Sequence, residues 1–425
     1  MAIVRLKPGH VQPVWSGHPW VFAQAVDEVR GGATAGDEIS VVDPRGQFLG
    51  RGFYSPSSAI VTRILVRDPS TPLDGTFFRA RIEKAAQLRA RFGLGESRTP
   101  SLGLSTGEKN LTNGYRVVHA EGDGLPGLIV DRFGDTLVVQ FLTVGMKLRE
   151  RTIFAALEET LRPKCILDRT PLAMAKHEEF TAASGVVWGE PTEELSFSER
   201  GFRYRLSTDL HQKTGFYFDQ RELRARVESL SRGARVLDAY SYVGAFSLAA
   251  ARGGARAVTA VDESAMAIEV GAEIARDNGF KDIHHVRQDA RKYFQETASK
   301  EPYDIVIADP PRLATSKAKR EQALQGYAKL AELSLRAVKP GGLLIFCSCS
   351  SAIDLSMLTR ALANGATKAR MDVSILERHF QGPDHPVPAA FPEGLYLKAL
   401  LARVERRGDA GVGRPAIEND DLDGG

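Results

Sequence analysis

Cysteine is scarce in this chain. Cys165, Cys347 and Cys349 are the whole complement in 425 residues, too few for a disulfide scaffold and suited to a reducing compartment. Together with scattered histidines they show no zinc-ligand spacing, so no metal is expected. Long apolar runs are missing too: none approaches the roughly 18 residues of a membrane span. The opening Met1-Ala2-Ile3-Val4-Arg5-Leu6-Lys7 has neither a long apolar core nor a small-residue cleavage site, which predicts a cytoplasmic rather than a secreted protein. The 40 Gly and 21 Pro are spread along the chain, which excludes collagen-like and low-complexity architecture.

What is present is the composition of an ordinary globular protein, 43% hydrophobic and 26% charged. At 425 residues it is too long for one compact domain and predicts two or three. The net charge of +3 conceals an asymmetry: residues 408–425 hold Asp409, Glu418, Asp420, Asp421 and Asp423 against Arg414, a balance of −4 that leaves +7 for the rest. A mildly basic body permits a polyanionic partner without demonstrating one. The Gly- and Asp-rich tail has almost nothing to bury and is predicted to be disordered.

Along the chain, short apolar runs at 38–42 and 59–66, punctuated by Asp43-Pro44-Arg45-Gly46 and Ser55-Pro56-Ser57, predict a little β-barrel. Asp68-Pro69-Ser70-Thr71-Pro72 reads as a linker. Residues 77–92 then predict an amphipathic helix with Phe78, Ile82, Ala85 and Leu88 on one face. Residues 128–140 read as two strands around a Gly134-Asp135 turn, and 148–161 as a helix. From about residue 230 strands and helices alternate: strands at 235–238, 257–262, 303–309 and 342–347, helices at 245–251, 264–277 and 319–338. That alternation predicts a parallel sheet covered on both faces, with ligands bound at the strands' carboxyl ends.

Three constellations sit at those ends. In Asp238-Ala239-Tyr240-Ser241-Tyr242-Val243-Gly244 only one glycine stands where a dinucleotide fold wants three, which suits a ligand without pyrophosphate, such as S-adenosylmethionine. Asp262 and Asp289 end the next two strands, placed to accept the ribose hydroxyls and the adenine amino group. Acids at strand ends also cap helices, but three in successive units favour a nucleoside cofactor. Asp309-Pro310-Pro311-Arg312 is a stiffened loop that presents carbonyls and a carboxylate to a planar ring. Last is Cys347-Ser348-Cys349-Ser350. Buried cysteines are usually just packed, and Cys347 is assigned to packing. Cys349 falls past the strand end, where a thiolate has a use: addition at carbon 6 of a pyrimidine makes carbon 5 able to take a methyl group.

These residues resemble a known family nearly end to end. Ser16-Gly17-His18-Pro19-Trp20-Val21-Phe22, Glu121-Gly122-Asp123-Gly124-Leu125-Pro126-Gly127-Leu128 and Gln212-Lys213-Thr214-Gly215-Phe216-Tyr217-Phe218-Asp219-Gln220-Arg221 are followed by the three constellations. Asp384-His385-Pro386 and Pro392-Glu393-Gly394-Leu395-Tyr396-Leu397-Lys398 complete the set. In this order they are similar to the PUA-domain-containing class I methyltransferases that make 5-methylcytosine in large-subunit (23S-type) ribosomal RNA.

The resemblance implies a multidomain α/β protein. Its parts would be a PUA-like RNA-binding β-barrel (1–72), a middle α+β domain (73–190), a Rossmann-like seven-stranded methyltransferase domain (191–407) and the acidic tail (408–425). It makes Cys349 the nucleophile, with Asp309 a candidate base. Cofactor binding would fall to Asp238, Tyr240, Ser241, Gly244, Asp262, Asp289, Asp309, Phe216, Asp219 and Gln220, although Phe216 and His211 could equally be packing. The family's two-cysteine relatives carry a second Cys after Asp-Pro, where this chain has Pro311, so the releasing base stays open. His18 and Trp20 are candidate RNA-stacking residues, with packing the blander alternative. Arg312, Lys317, Lys319 and Arg320 are candidate phosphate holders or a solvated helix face. A homodimer is a further expectation. The rival readings are the same fold acting on another base or a small molecule, and a non-catalytic RNA-binding assembly factor.

Overall fold

The computed structural model describes residues 2–95, 111–210, 214–313 and 320–408. The acidic tail beyond residue 408, together with His211, Lys213, Lys317 and Lys319, lies outside the described residues.

The first six strands are β1 (Ala2–Leu6), β2 (Trp20–Phe22), β3 (Val26–Arg30), β4 (Glu38–Val42), β5 (Phe48–Tyr54) and β6 (Ile60–Val66). They form one sheet in the order β2-β6-β5-β4-β1-β3. Alternation sends Val4, Leu6, Ile39 and Val41 inward, where they meet Val21 and Ile64.

Helix α1 (Gly75–Arg91) follows, capped by the Asp74 carboxylate on the Phe77 amide at 3.1 Å. Phe77, Phe78, Ile82 and Ala85 bury its apolar face. The expected Leu88 is only half-buried, and the neighbouring Arg89 is fully buried instead. The reason is a partner 34 residues away: the Arg89 guanidinium clasps both carboxylate oxygens of Asp123. The face of α1 packs on a five-stranded sheet of β7 (Gly114–His119), β8 (Leu128–Phe133), β9 (Thr136–Phe141), β10 (Cys165–Arg169) and β11 (Ser184–Gly189), with α2 (Glu150–Leu161) beside it.

A hairpin of β12 (Glu194–Glu199) and β13 (Phe202–Ser207), then α3 (Arg221–Leu230), leads into the last unit. There β14 (Arg235–Ala239), α4 (Ala245–Arg252), β15 (Ala257–Asp262), α5 (Ala265–Asp277), β16 (Ile283–Arg287), α6 (Ala290–Tyr293) and β17 (Tyr303–Ala308) alternate. They continue through α7 (Arg320–Arg336), β18 (Val338–Ser348), α8 (Leu355–Ala369), β19 (Met371–His379) and β20 (Lys398–Arg406). The sheet order is β16-β15-β14-β17-β18-β20-β19, with β20 antiparallel to both neighbours.

Each central strand feeds two cores because successive side chains point to opposite faces. Val236, Ile305, Ile307 and Cys347 join one core, while Leu237, Val306, Ala308 and Phe346 join the other. Each fully buried Val, Leu, Ile or Phe contributes about 1.5–3 kcal/mol. The chain runs from β14 outward to β16 and then returns across the sheet to β17. The strand order therefore reverses between β14 and β17, and a crevice opens there at the carboxyl ends.

Candidate active site

The turn leaving β14 is strained. Tyr240 (φ 64°) and Tyr242 (φ 50°) both lie in the left-handed region, as does Gly244 (φ 73°), where only the glycine is at ease. Each tyrosine costs on the order of 1–2 kcal/mol in that conformation and persists only because its surroundings fix it. The fixing bonds come from Asp262 Oδ2, which accepts the Tyr242 amide at 2.9 Å, and from the Gly215 carbonyl, which accepts the Tyr242 hydroxyl at 2.9 Å. The Ser241 amide donates to the Val261 carbonyl at 3.0 Å.

Beyond this turn lies a cavity of about 410 Å³. Tyr240, Ser241 and Asp262 form one wall, Asp289 stands beside them, and Phe216, Asp219 and Gln220 close it from before α3. Asp309, Pro310, Pro311 and Cys349 line it from the ends of β17 and β18, with Arg312 exposed among them. Eight of the ten expected cofactor residues are thus brought together: Phe216, Asp219, Gln220, Tyr240, Ser241, Asp262, Asp289 and Asp309.

Asp238 and Gly244 are the exceptions and do not line the cavity. Asp238 is turned under the floor, where its Oδ2 accepts the Ser247 amide at 3.0 Å and hydroxyl at 2.7 Å at the start of α4. Burial pushes its carboxyl up to about 6, with the Ser247 bonds opposing the rise. Its role here is to hold the helix that carries the turn, and Gly244 serves as that helix's N-cap residue. Asp262 and Asp289 do both jobs. Asp262 Oδ1 takes the Ser264 amide at 2.9 Å and Asp289 Oδ1 the Lys292 amide at 2.9 Å, yet both residues still face the cavity.

At the ends of β17 and β18, Asp309 Oδ2 accepts from Gln220 Nε2 at 3.0 Å. The Tyr396 hydroxyl donates to Asp219 Oδ2 at 2.6 Å, fastening the segment before β20 to the one before α3. Cys349 is partly exposed and opens into the cavity, while Cys347 is completely buried in β18. Burial, with Asp309 nearby, pushes the Cys347 thiol well above its ordinary range, so it stays neutral.

Sequence reasoning missed Tyr217, Arg224, Tyr242, Glu263, Arg291 and Leu397, all of which line the cavity. Tyr217 and Tyr242 stand inside quoted motifs, and their meeting edge-on at 5.7 Å is the part that required coordinates.

The proposed RNA-stacking pair lies elsewhere. Trp20 packs edge-on against Phe391 at 4.6 Å and donates its indole N–H to Glu121 at 2.7 Å. His18 sits 5.6 Å from the same Phe391 and 3.4 Å from Glu393. With their rings and polar edges so engaged, both residues dock the first sheet onto the rest of the chain. Arg320 is also committed, its Nε donating to the Ala352 carbonyl at 3.0 Å. Of the described basic candidates, Arg312 alone lines the cavity.

Comparison with known proteins agrees with this geometry. An S-adenosylmethionine-dependent methyltransferase family matches residues 166–403, and a PUA-like domain family matches residues 4–67. A ribosomal RNA large subunit methyltransferase I of Klebsiella pneumoniae is 34% identical over 403 residues, covering 94% of this chain and 97% of its own. The chain belongs to this methyltransferase family. The ribosomal RNA large subunit methyltransferase I of Shewanella denitrificans is 35% identical over 413 residues, 95% of this chain and 100% of that one. Among solved structures, a Streptococcus mutans protein described as a SAM-dependent methyltransferase superposes with a TM-score of 0.79 at 20% identity, over 95% of this chain and all of that one, which shows the shared fold.

The family's cofactor is S-adenosylmethionine, and the cavity suits it. Ser241 Oγ and Gln220 Oε1 are buried polar atoms on its wall with no hydrogen-bond partner among the described residues. Such atoms cost stability until something bonds them. Among the described residues no helix is long and apolar enough to cross a membrane. A homodimer gains no support from the structure or the relatives.

Proposed function

We propose that the chain methylates carbon 5 of a cytosine in large-subunit ribosomal RNA, with Cys349 as the nucleophile. The observation that carries this reading is that Cys349 opens into the same cavity as Asp262, Asp289 and Asp309, two residues from a cysteine that is sealed in the sheet. Bound S-adenosylmethionine supplies an electrophilic methyl group. For holding it, Asp262 is assigned to the ribose hydroxyls, Asp289 to the adenine amino group, and Ser241, Tyr240 and Gln220 to the remaining polar atoms.

The Cys349 thiolate adds to carbon 6 of the cytosine, and the ring's electrons move toward carbon 5, which becomes the carbon that forms the new bond. Removal of the carbon 5 proton restores the ring as the carbon–sulfur bond breaks. We assign that removal to Asp309, which lines the same cavity and is oriented by Gln220. Arg312 at the cavity wall is suited to a phosphate of the incoming strand. The PUA-like segment, taken as residues 1–72, is assigned RNA binding ahead of a middle domain to residue 190 and a catalytic domain to residue 407, all acting in the cytoplasm.

The test is methyl transfer from labelled S-adenosylmethionine to large-subunit ribosomal RNA, followed by nucleoside analysis. Label in 5-methylcytidine is expected. Label in any other nucleoside would overturn the base assignment, and label in none would overturn the activity.

A further inference from the structure

One buried charge near the cavity has no counter-ion among the carboxylates of the described residues. Lys398 opens β20, opposite Ser348 in the antiparallel register, and only 2% of its surface is exposed. Its ammonium donates to the Ser350 carbonyl at 2.7 Å, next to Cys349. Among the described residues no carboxylate lies within ion-pair distance of it. A buried lysine without a carboxylate to pair it is costly and is seldom retained as packing. Elsewhere in this fold the rule holds: buried Lys147 pairs with Asp168 at 3.0 Å.

We propose that Lys398 is the counter-ion of the Cys349 thiolate, a positioning residue that keeps the nucleophile ionised before RNA binds. This rests on the reading of Cys349 as the nucleophile. The Cys349 S–H bond breaks with its proton passing to water, and the ammonium remains protonated beside the sulfur. The backbone supports the pairing: the bond to the Ser350 carbonyl fixes the ammonium at the turn that carries Cys349.

Of the other charged or titratable groups facing this pair, Asp309 lines the same cavity as Cys349 and its carboxylate opposes the thiolate. Asp354, exposed at the start of α8, favours the ammonium, and Arg312, exposed beyond β17, opposes it. Tyr217, Tyr327 and Cys347 stand around Cys349, and burial keeps all three in their neutral forms. Burial pulls Lys398 itself down to about 8, with Cys349 the largest opposing influence, so it remains mostly cationic at neutral pH.

The test is the pH dependence of iodoacetamide alkylation at Cys349 in the full chain without RNA, with the modified sulfur located by peptide fragmentation. In the wild type the midpoint is expected below the ordinary thiol value of about 8.5. Lys398→Gln keeps a donor for the Ser350 carbonyl but loses the charge, and should raise the midpoint by about one pH unit or more. Lys398→Arg should hold it near the wild-type value. A folded Lys398→Gln protein with an unchanged midpoint would overturn the ion pair. So would a wild-type midpoint at or above the ordinary value, which needs no variant to fold. Because the assay contains no RNA and no methyl transfer, a shifted midpoint alongside methyl transfer that survives Cys349→Ala would keep the ion pair and discard the nucleophile.

Discussion

The junction between the units and the cavity at the sheet's carboxyl ends use the same residue types, Asp, Arg and Tyr, but treat them in opposite ways. At the junction, among the described residues, buried carboxylates are paired with arginines. Asp123 meets Arg89, Asp131 meets Arg116, Glu199 meets Arg221 and Arg224, and Asp384 meets Arg221 at 3.0 Å and His385 at 3.0 Å. Among the described residues of the cavity, Asp262 and Asp289 accept hydrogen bonds from backbone amides, and the neighbouring Ser241 hydroxyl and Gln220 amide oxygens have no partner. Buried charge answered within the chain fixes how the units sit together. Polar groups left unanswered in a cleft are what a ligand can use. The two regions touch through Tyr396, whose hydroxyl reaches Asp219 from the segment that also carries Asp384.

Breaking the junction should have the largest effect. Asp384→Ala leaves Arg221 buried without its nearest carboxylate and should cost about 3–5 kcal/mol of stability, read by denaturant unfolding. Burial alone would raise the Asp384 carboxyl, but Arg221 and His385 override it and hold it well below its ordinary value. Its contribution is therefore present above the ordinary carboxylate range and lost as the pH falls through and below it. The acid side of the stability profile should be flatter in the variant than in the wild type. A variant as stable as the wild type would remove the distinction between the two regions.

In the cavity the same kind of change should act on binding. Asp262→Ala should weaken S-adenosylmethionine by about 1.5–3 kcal/mol, roughly ten- to hundredfold, in a calorimetric titration. Its stability loss should be smaller than that of Asp384→Ala, since only two amide bonds go with it. Unchanged affinity in a folded protein would show that Asp262 serves the turn alone. The smallest effect belongs to Cys347→Ala, which should cost about 1 kcal/mol of stability for a small packing defect and leave methyl transfer intact.

Much of the catalytic sheet was legible because a parallel sheet buried on both faces writes itself as mostly apolar runs. Tyr303–Ala308 and Ala257–Asp262 are such runs, each ending on or just before an acid. The two antiparallel strands were harder to read. Met371–His379 alternates half-buried and exposed positions as an edge strand does, and Lys398–Arg406 begins with a lysine inside an apolar stretch. That lysine was the one signal in sequence of the buried cation behind Cys349.

What remained hidden depends on contacts between distant residues. A strand-end aspartate looks the same whether it lines a cavity, as Asp262 does, or is turned wholly to a helix end, as Asp238 is. The choice is made by Ser247, nine residues on and folded back over it. His18 and Trp20 read as a candidate stacking pair because, apart from Phe22, the residues that engage their rings and polar edges are far away in sequence. Their partners, Phe391, Glu393 and Glu121, lie more than a hundred residues away.

The central claim is that Cys349 is the sulfur that attacks the base, and RNA containing 5-fluorocytosine tests it most directly. Fluorine cannot leave as a proton does, so the enzyme and RNA should remain joined on a denaturing gel in the presence of S-adenosylmethionine. The adduct should map to Cys349, form equally in Cys347→Ala and be absent in Cys349→Ala. An adduct that persists in Cys349→Ala and maps to Cys347 would contradict the account.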